Sequence, residues 1–163
     1  MTDQATQEPQ ETQEPSEAQA LQLQQHFSIV LQVRDYECDQ AGVVNNAVYF
    51  NYCEHARHEF LKTLGIDFAD CARRQINLVV VRSELDYKAS LVSGDVFEVN
   101  VRLERISRLR FVFHQAMRLR DSQKLICVAK IFGAVVDANG RPCMPDEIAR
   151  LVGPVPVKQN QTD

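Results

Sequence analysis

The sequence predicts an α+β fold in which one long helix packs on one face of an antiparallel sheet. Three observations predict it. A single strong helical stripe lies between Tyr49 and Leu64, segments of period-two alternation lie on both sides of it, and turn-forming pairs separate the later segments. The length of 163 residues fits one domain. A composition of 45% hydrophobic and 25% charged residues places that domain among ordinary globular proteins.

The elements follow in order. Residues 1–25 are rich in Gln, Glu, Pro, Thr and Ala and lack large apolar side chains before Leu21. Such a segment buries too little apolar surface to offset its ordering entropy, so a disordered tail is expected there. From His26 the texture changes: Phe27, Ile29, Leu31 and Val33 alternate with Ser28, Val30, Gln32 and Arg34, the period of a strand. A polar stretch from Glu37 to Asn46 follows. Then Tyr49, Tyr52, Cys53, Ala56, Phe60 and Leu64 recur at three- and four-residue spacing as one apolar stripe. Asn45 or Asn46 is placed to cap this helix, and Gly65 to end it. A short helix is expected over Phe68–Arg74.

The remainder reads as strands. Leu78–Tyr87 is rich in Val, and Ser93-Gly94-Asp95 is a turn. Phe97, Val99, Val101 and Leu103 alternate with polar partners, as do Phe111, Phe113, Met117 and Leu119. Leu125–Val136 is nearly all apolar, the pattern of a central strand covered on both faces. Asn139-Gly140 is a further turn, Pro142 and Pro145 bracket the start of a short last helix, and residues 153–163 are expected to be a flexible tail. A sheet of this kind leaves edges that pairing between subunits would hide, so a homodimer or homotetramer is expected.

Several function classes fall away. No apolar run approaches the length of a membrane span. The N-terminus has neither a basic, apolar secretory signal nor the Arg-rich, acid-poor composition of a transit peptide, so a cytoplasmic protein is expected. The five cysteines are odd in number and form no C-x-x-C pair, which speaks against a disulfide framework and a zinc site. The first 25 residues hold five acidic residues and no basic one, so the rest carries a net charge of +1 against −4 for the whole chain. A near-neutral domain without exposed aromatics among its basic residues gives no nucleic-acid signal.

Chemistry concentrates in Asp39-Gln40-Ala41-Gly42-Val43-Val44-Asn45-Asn46-Ala47-Val48-Tyr49. A carboxylate follows a strand and precedes a glycine, two amides and a helix start, whose free N–H groups carry partial positive charge. Such donors stabilise a developing oxyanion, and a carboxylate beside them can attack an acyl carbon or deprotonate water. An Asx turn with a helix cap is the alternative reading of the same residues.

This segment, continued by Asn51-Tyr52-Cys53-Glu54-His55-Ala56-Arg57-His58-Glu59-Phe60-Leu61, resembles the hotdog thioesterases of the 4-hydroxybenzoyl-CoA thioesterase class. Arg34 to Tyr49 and Tyr52 to Leu61 are most similar to the plant acyl-lipid and methylketone-synthase thioesterases, which act on acyl groups held by acyl carrier protein. The resemblance covers roughly residues 26–150. It implies a hotdog domain over 26–152, a curved antiparallel sheet wrapped around one long central helix, with no metal or other cofactor.

By that resemblance Asp39 is the catalytic carboxylate, and Glu37 is the second acid often found two residues earlier. Backbone N–H groups near Asn46 would polarise the thioester carbonyl, and Asn45 and Tyr49 would shape the pocket or orient water. Val43 stands where many relatives carry His. Val44 replaces the His of the hotdog hydratases, and no His-Phe-Pro segment of the dehydratases is present. Glu54 and Glu59 are candidates for the variant with a helix-borne Glu, though spacing pairs them with Arg57 and Lys62 on the helix surface. His55 and His58 read as structural.

Arg102, Arg110, Arg118 and Arg120 fall on the outward parity of their strands. With Arg105 and Arg108 in the connecting turn they make a basic patch suited to CoA phosphates or an acidic carrier protein, with Arg108 and Arg110 as the candidate contacts. The sequence thus predicts hydrolysis of fatty acyl or 3-oxoacyl thioesters of acyl carrier protein. The alternatives are a general acyl-CoA thioesterase and a non-catalytic acyl-binding hotdog module.

Overall fold

A computed structural model describes residues 27–66 and 68–155; the expected tail 1–25, and all but three residues of the expected tail 153–163, lie outside the described residues. The elements are β1 (Ser28–Gln32), a 3-10 turn (Asp35–Glu37), α1 (Val48–Thr63), α2 (Phe68–Arg73), β2 (Asn77–Tyr87), β3 (Val96–Arg105), β4 (Arg110–Leu119), β5 (Leu125–Val136), β6 (Pro142–Cys143) and α3 (Asp146–Val152). One sheet runs in the order β1-β3-β4-β5-β2, with β6 beside β5, and every pairing is antiparallel.

The expected alternation is what closes the core. In β3, Phe97, Val99, Val101 and Leu103 are buried, while Asn100, Arg102 and Glu104 face solvent. α1 lays Tyr49, Tyr52, Cys53, Ala56, Arg57, Phe60 and Leu61 against that inner face. Phe60 is fully buried, with its ring 5.2 Å from Phe27 on the β1 side and 6.5 Å from Phe113 of β4. One aromatic thereby ties the helix to both halves of the sheet, and truncating such a side chain costs about 3–5 kcal/mol.

Three expectations are corrected. β5 is an interior strand as expected, between β4 and β2, but it is not covered on both faces. Lys130 on the outer side of β5 is exposed, so that face is only partly covered. Pro142 belongs to the two-residue strand β6, paired with Val136 and not with the helix that follows, and Pro145 alone stands at the N-terminus of α3. Arg105 ends β3 and is not in the turn.

The two sheet edges differ. β1 is short, whereas β2 is 11 residues long and, among the described residues, is paired only on its β5 side. A register shift between Val80 and Arg82 interrupts it, and Val80 (55%) and Val81 (46%) are exposed. α1 and β2 run side by side in opposite senses. Tyr87, at the end of β2, donates its hydroxyl to the Asn46 carbonyl at 3.0 Å, while Leu78–Val80 lie beside Arg57 and Leu61. Among the described residues no helix is long and apolar enough to cross a membrane.

Candidate functional site

Asp39 sits at the tip of a small hairpin that precedes α1. Cys38 and Val44 form an antiparallel bridge, the Asp39 N–H donates to Val43 O at 2.8 Å, and the Gly42 N–H donates to Asp39 O at 3.0 Å. Gly42 closes this turn at φ +75°, a conformation that favours glycine. Asp39 Oδ1 accepts the Ala41 N–H at 2.8 Å, an Asx turn that fixes the side chain's direction. The carboxylate is exposed on the single chain and does not line the cleft beside α1.

Glu37 clamps the hairpin to the helix. It is buried, and its Oε2 accepts the Tyr52 hydroxyl at 2.7 Å and the Arg34 N–H at 2.8 Å, while Oε1 accepts the Arg34 guanidinium at 3.0 Å. Burial pushes the carboxyl's pKa up; the bonds from Arg34 N–H, the Tyr52 hydroxyl and the Arg34 guanidinium outweigh it and hold the carboxyl below its usual range. The Tyr52 hydroxyl is driven upward by burial and by the Glu37 carboxylate, so it stays a donor. Glu37 O also accepts the Asn45 N–H at 3.0 Å. The residue therefore orients both the strand carrying Asp39 and the entry to α1.

Neither Asn45 nor Asn46 caps α1: the N-cap is Ala47, with no side-chain capping bond, and Asn45 makes the turn that precedes it. Asn45 Oδ1 accepts the Ala47 N–H at 2.9 Å and its carbonyl accepts the Val48 N–H at 2.9 Å. Among the described residues the backbone N–H groups of Asn46 and Tyr49 have no acceptor. These are the orphan donors of a helix start, where an incoming oxyanion finds partial positive charge. The Tyr49 side chain is buried, its hydroxyl accepting the Leu91 N–H at 3.2 Å and its ring meeting Tyr87 edge-on at 5.2 Å. Tyr49 is thus a post between α1 and the chain before β3, and only its N–H is left for a ligand.

The outward basic residues are partly neutralised. Arg102 pairs with Glu104 at 3.1 Å, and the Arg105 guanidinium donates to the carbonyls of Ser107, Arg108 and Gly153. Arg108 and Arg110 are exposed, with no ion pair among the described residues. On the helix, Glu59 pairs with Lys62 at 2.7 Å as its spacing predicts, and Glu54 approaches His58 at 3.9 Å. Arg57 departs from expectation: it turns inward, donates to Gln115 Oε1 at 3.1 Å and lies 5.8 Å from the centre of the Phe113 ring. The signal was present, since Arg57 stands four residues after Cys53 and three before Phe60, within the apolar stripe.

A profile described as the thioesterase-like superfamily matches residues 33–152. Over 114 residues the chain is 41% identical to the acyl-acyl carrier protein thioesterase ATL3, chloroplastic, of Arabidopsis thaliana, covering 70% of this chain and 60% of that protein. It is 42% identical over 126 residues to the corresponding ATL2 of the same plant, covering 77% and 67%. The chain therefore spans about three-fifths to two-thirds of these relatives' lengths. In fold it matches the crystal structure of a 1,4-dihydroxy-2-naphthoyl-CoA thioesterase from Synechocystis, with a TM-score of 0.73 at 20% identity over 77% of this chain and 94% of that one. The match over most of the domain, in sequence and in fold, is decisive: the chain belongs to the thioesterase-like superfamily and has its hotdog fold.

Proposed function

We propose that this protein hydrolyses fatty acyl or 3-oxoacyl thioesters of acyl carrier protein to the free acid and the carrier thiol, with Asp39 as its catalytic carboxylate. The observation that carries the reading is the hairpin. Its backbone bonds hold Asp39, and the Glu37 clamp ties the same hairpin to a helix start whose Asn46 and Tyr49 N–H groups lack acceptors among the described residues. Similarity to ATL2 and ATL3 supports the carrier-protein substrate.

In the general-base route, Asp39 takes a proton from water as its oxygen adds to the thioester carbonyl. The N–H groups at the helix start stabilise the oxyanion. Collapse breaks the C–S bond, and the proton held by Asp39 goes to the departing thiolate. In the nucleophilic route an Asp39 oxygen adds to the thioester carbonyl and the thiolate leaves as the C–S bond breaks, giving a mixed anhydride that water opens at the Asp39 carbonyl carbon. The two are distinguished by whether solvent oxygen labels Asp39 in a single turnover.

The site is completed by a second copy. Asp39 is exposed on the single chain, and the open β2 edge beside α1 displays Val80, Val81, Phe50 and Tyr87. Pairing two β2 edges in a homodimer, alone or within a homotetramer, satisfies the unpaired backbone and covers these side chains. Arg108 and Arg110 meet the acidic carrier, and the same pair suits the phosphates of CoA if the enzyme is a general acyl-CoA thioesterase. The domain bounds of 26–152 and a cytoplasmic setting belong to this reading.

A second reading rests on the Asx turn: because Ala41 holds one Asp39 oxygen, the chain could bind acyl groups without hydrolysing them. Thiol release from acyl-carrier and acyl-CoA substrates, with Asp39→Ala beside the native protein, decides among the readings. General-base catalysis contributes roughly 10²–10⁴-fold, so Asp39→Ala is expected to lower kcat at least about a hundredfold with an unchanged circular dichroism spectrum. Near-normal turnover in the folded variant removes Asp39 from the mechanism. Binding without thiol release favours the module, and a strong preference for CoA overturns the carrier assignment.

A further inference from the structure

Arg57 is a buried cation without an anion. It is 9% exposed, and among the described residues no carboxylate lies within ion-pairing distance. Its sole hydrogen-bond acceptor there is the neutral Gln115 Oε1, and Gln115 Nε2 is itself committed to the Cys53 carbonyl at 2.9 Å. The Gln115 oxygen and the Phe113 ring compensate only part of the guanidinium's desolvation, and an apolar side chain of the same volume would pack there without that penalty. Burial accordingly pulls its pKa down from the ordinary arginine value.

The unused donors are not sealed off. Among the described residues no side-chain nitrogen or oxygen is both fully covered and without a partner, so Nε and Nη2 of Arg57 remain accessible. Arg57 lines a cleft of about 100 Å³ between α1 and the sheet, walled by Leu61, Leu78, Val80, Phe111 and Phe113. Glu54 and His58 stand at its mouth. A water's share of liquid volume is about 30 Å³, so the space takes the end of a chain and not a whole acyl group.

α1 and β2 meet at two places: Tyr87 reaches the Asn46 carbonyl at the helix start, and Leu78–Val80 share the cleft with Arg57 and Leu61. An acyl chain held at the helix start and laid along α1 toward β2 would run to this cleft. Arg57 is eleven residues beyond Asn46 on the helix, roughly 16 Å at 1.5 Å per residue. A substituent next to the reacting carbonyl does not reach it; a group near the far end of a long acyl chain does.

We infer that Arg57 forms a distal acyl subsite, selecting chains that carry an oxygen function (hydroxyl, carbonyl or carboxylate) far from the thioester. The inference rests on the thioesterase reading of Asp39. A plain alkyl terminus entering the cleft displaces water from Nε and Nη2 and leaves them unpaired, whereas an oxygen accepts from them. Sites built to hydrogen-bond a substrate oxygen discriminate strongly against the analogue that lacks it. Glu54 at the mouth opposes a negative charge, so hydroxyl and carbonyl chains are expected to outrank the carboxylate.

The test compares dodecanoyl and tetradecanoyl thioesters with their terminal-hydroxyl, penultimate-oxo and terminal-carboxylate analogues, by thiol release from the full-length protein. Native protein is expected to favour the oxygenated chains in kcat/KM by about tenfold or more, the difference lying in KM. In Arg57→Met that ratio falls to about one, and in Arg57→Lys, which keeps the charge but not the fork, it falls part-way. Hydrolysis of plain chains with no preference in the native protein overturns the subsite and leaves the thioesterase reading standing; this arm needs no folded variant. A preference that survives in Arg57→Met also overturns it, as does loss of the oligomer with the preference unchanged, which places Arg57 at a subunit contact. If no thioester is cleaved, the thioesterase reading fails on its own. Calorimetric binding of the free acids then tests the cleft directly: tighter binding of the oxygenated acids, abolished in Arg57→Met, supports it, and equal binding overturns it.

Discussion

Removing the Tyr52 hydroxyl isolates the clamp that holds the Asp39 hairpin. In Tyr52→Phe, Glu37 loses its bond from Tyr52 at 2.7 Å while both residues stay buried. A hydrogen bond to a charged group contributes about 1.5–3 kcal/mol, and burial of both partners makes that range applicable, so a loss of about 1.5–3 kcal/mol is expected at pH 7. The Arg34 guanidinium lies in solvent, where screening weakens its attraction, and it is left out of this figure. Glu37→Gln removes the charge from the same bond. If the two groups act on each other, the double variant costs less than the sum of the singles by at least about 1 kcal/mol.

The pH dependence has a definite sign. Glu37 has a folded pKa below its ordinary 4.5, so its stabilisation is fully present above the unfolded value and is lost as the pH falls through the folded one. The native protein's margin over Tyr52→Phe should therefore narrow as the pH is lowered from 7 into the carboxylate range. Urea unfolding followed by circular dichroism measures it, since the chain has no tryptophan to report by fluorescence. Additive single-variant losses, within about 0.3–0.5 kcal/mol, or a margin that does not change with pH, would refute the clamp.

Two further predictions concern the core. A Cβ on Gly133 would stand 2.3 Å from Phe111 Cε2, so Gly133→Ala should destabilise the fold by about 1–3 kcal/mol, measured in urea. Adding Phe111→Leu should recover part of that loss, and an undiminished loss would show that the ring is not the obstacle. Burial drives the Cys53 thiol up to about 12 and the Cys127 thiol up to about 11, and the thiolate is the reactive form. With a thiol reagent at pH 8 the native protein should label Cys38 and Cys143 first, and Cys53, Cys71 and Cys127 only at the rate of unfolding; rapid labelling of Cys53 would contradict its burial.

What the sequence disclosed follows the range of the interactions involved. Helix and strand patterns are local, so the apolar stripe of α1, the alternation of β3 and the turn at Gly94 could be read before any coordinates. The position of β5 next to β2, and the strand pairing of Pro142, depend on partners distant in sequence, and alternation does not name a partner. Charge was misjudged for a related reason. The i,i+3 spacing of Glu54 and Arg57 admits an ion pair on the helix surface. Arg57 also lies in the apolar stripe, and tertiary packing over Phe113 prevailed.

The candidate site divides along that line. The Asx turns of Asp39 and Asn45 involve residues two apart and are legible in the sequence, whereas the helix cap falls on Ala47 and not on either Asn; the Glu37–Tyr52 bond joins residues fifteen apart and is not legible there. Asn45 and the Asp39 turn could have arisen in any loop that leads into a helix. What distinguishes this loop is that a buried carboxylate, held ionised by three bonds, fixes its orientation relative to the helix start. A loop needing only to turn would gain little from an ionised Glu37 in that place, because an uncharged side chain would avoid its desolvation. The clamp therefore makes sense as a device for direction: it sets the hairpin that carries Asp39, whose side chain the turn with Ala41 then orients.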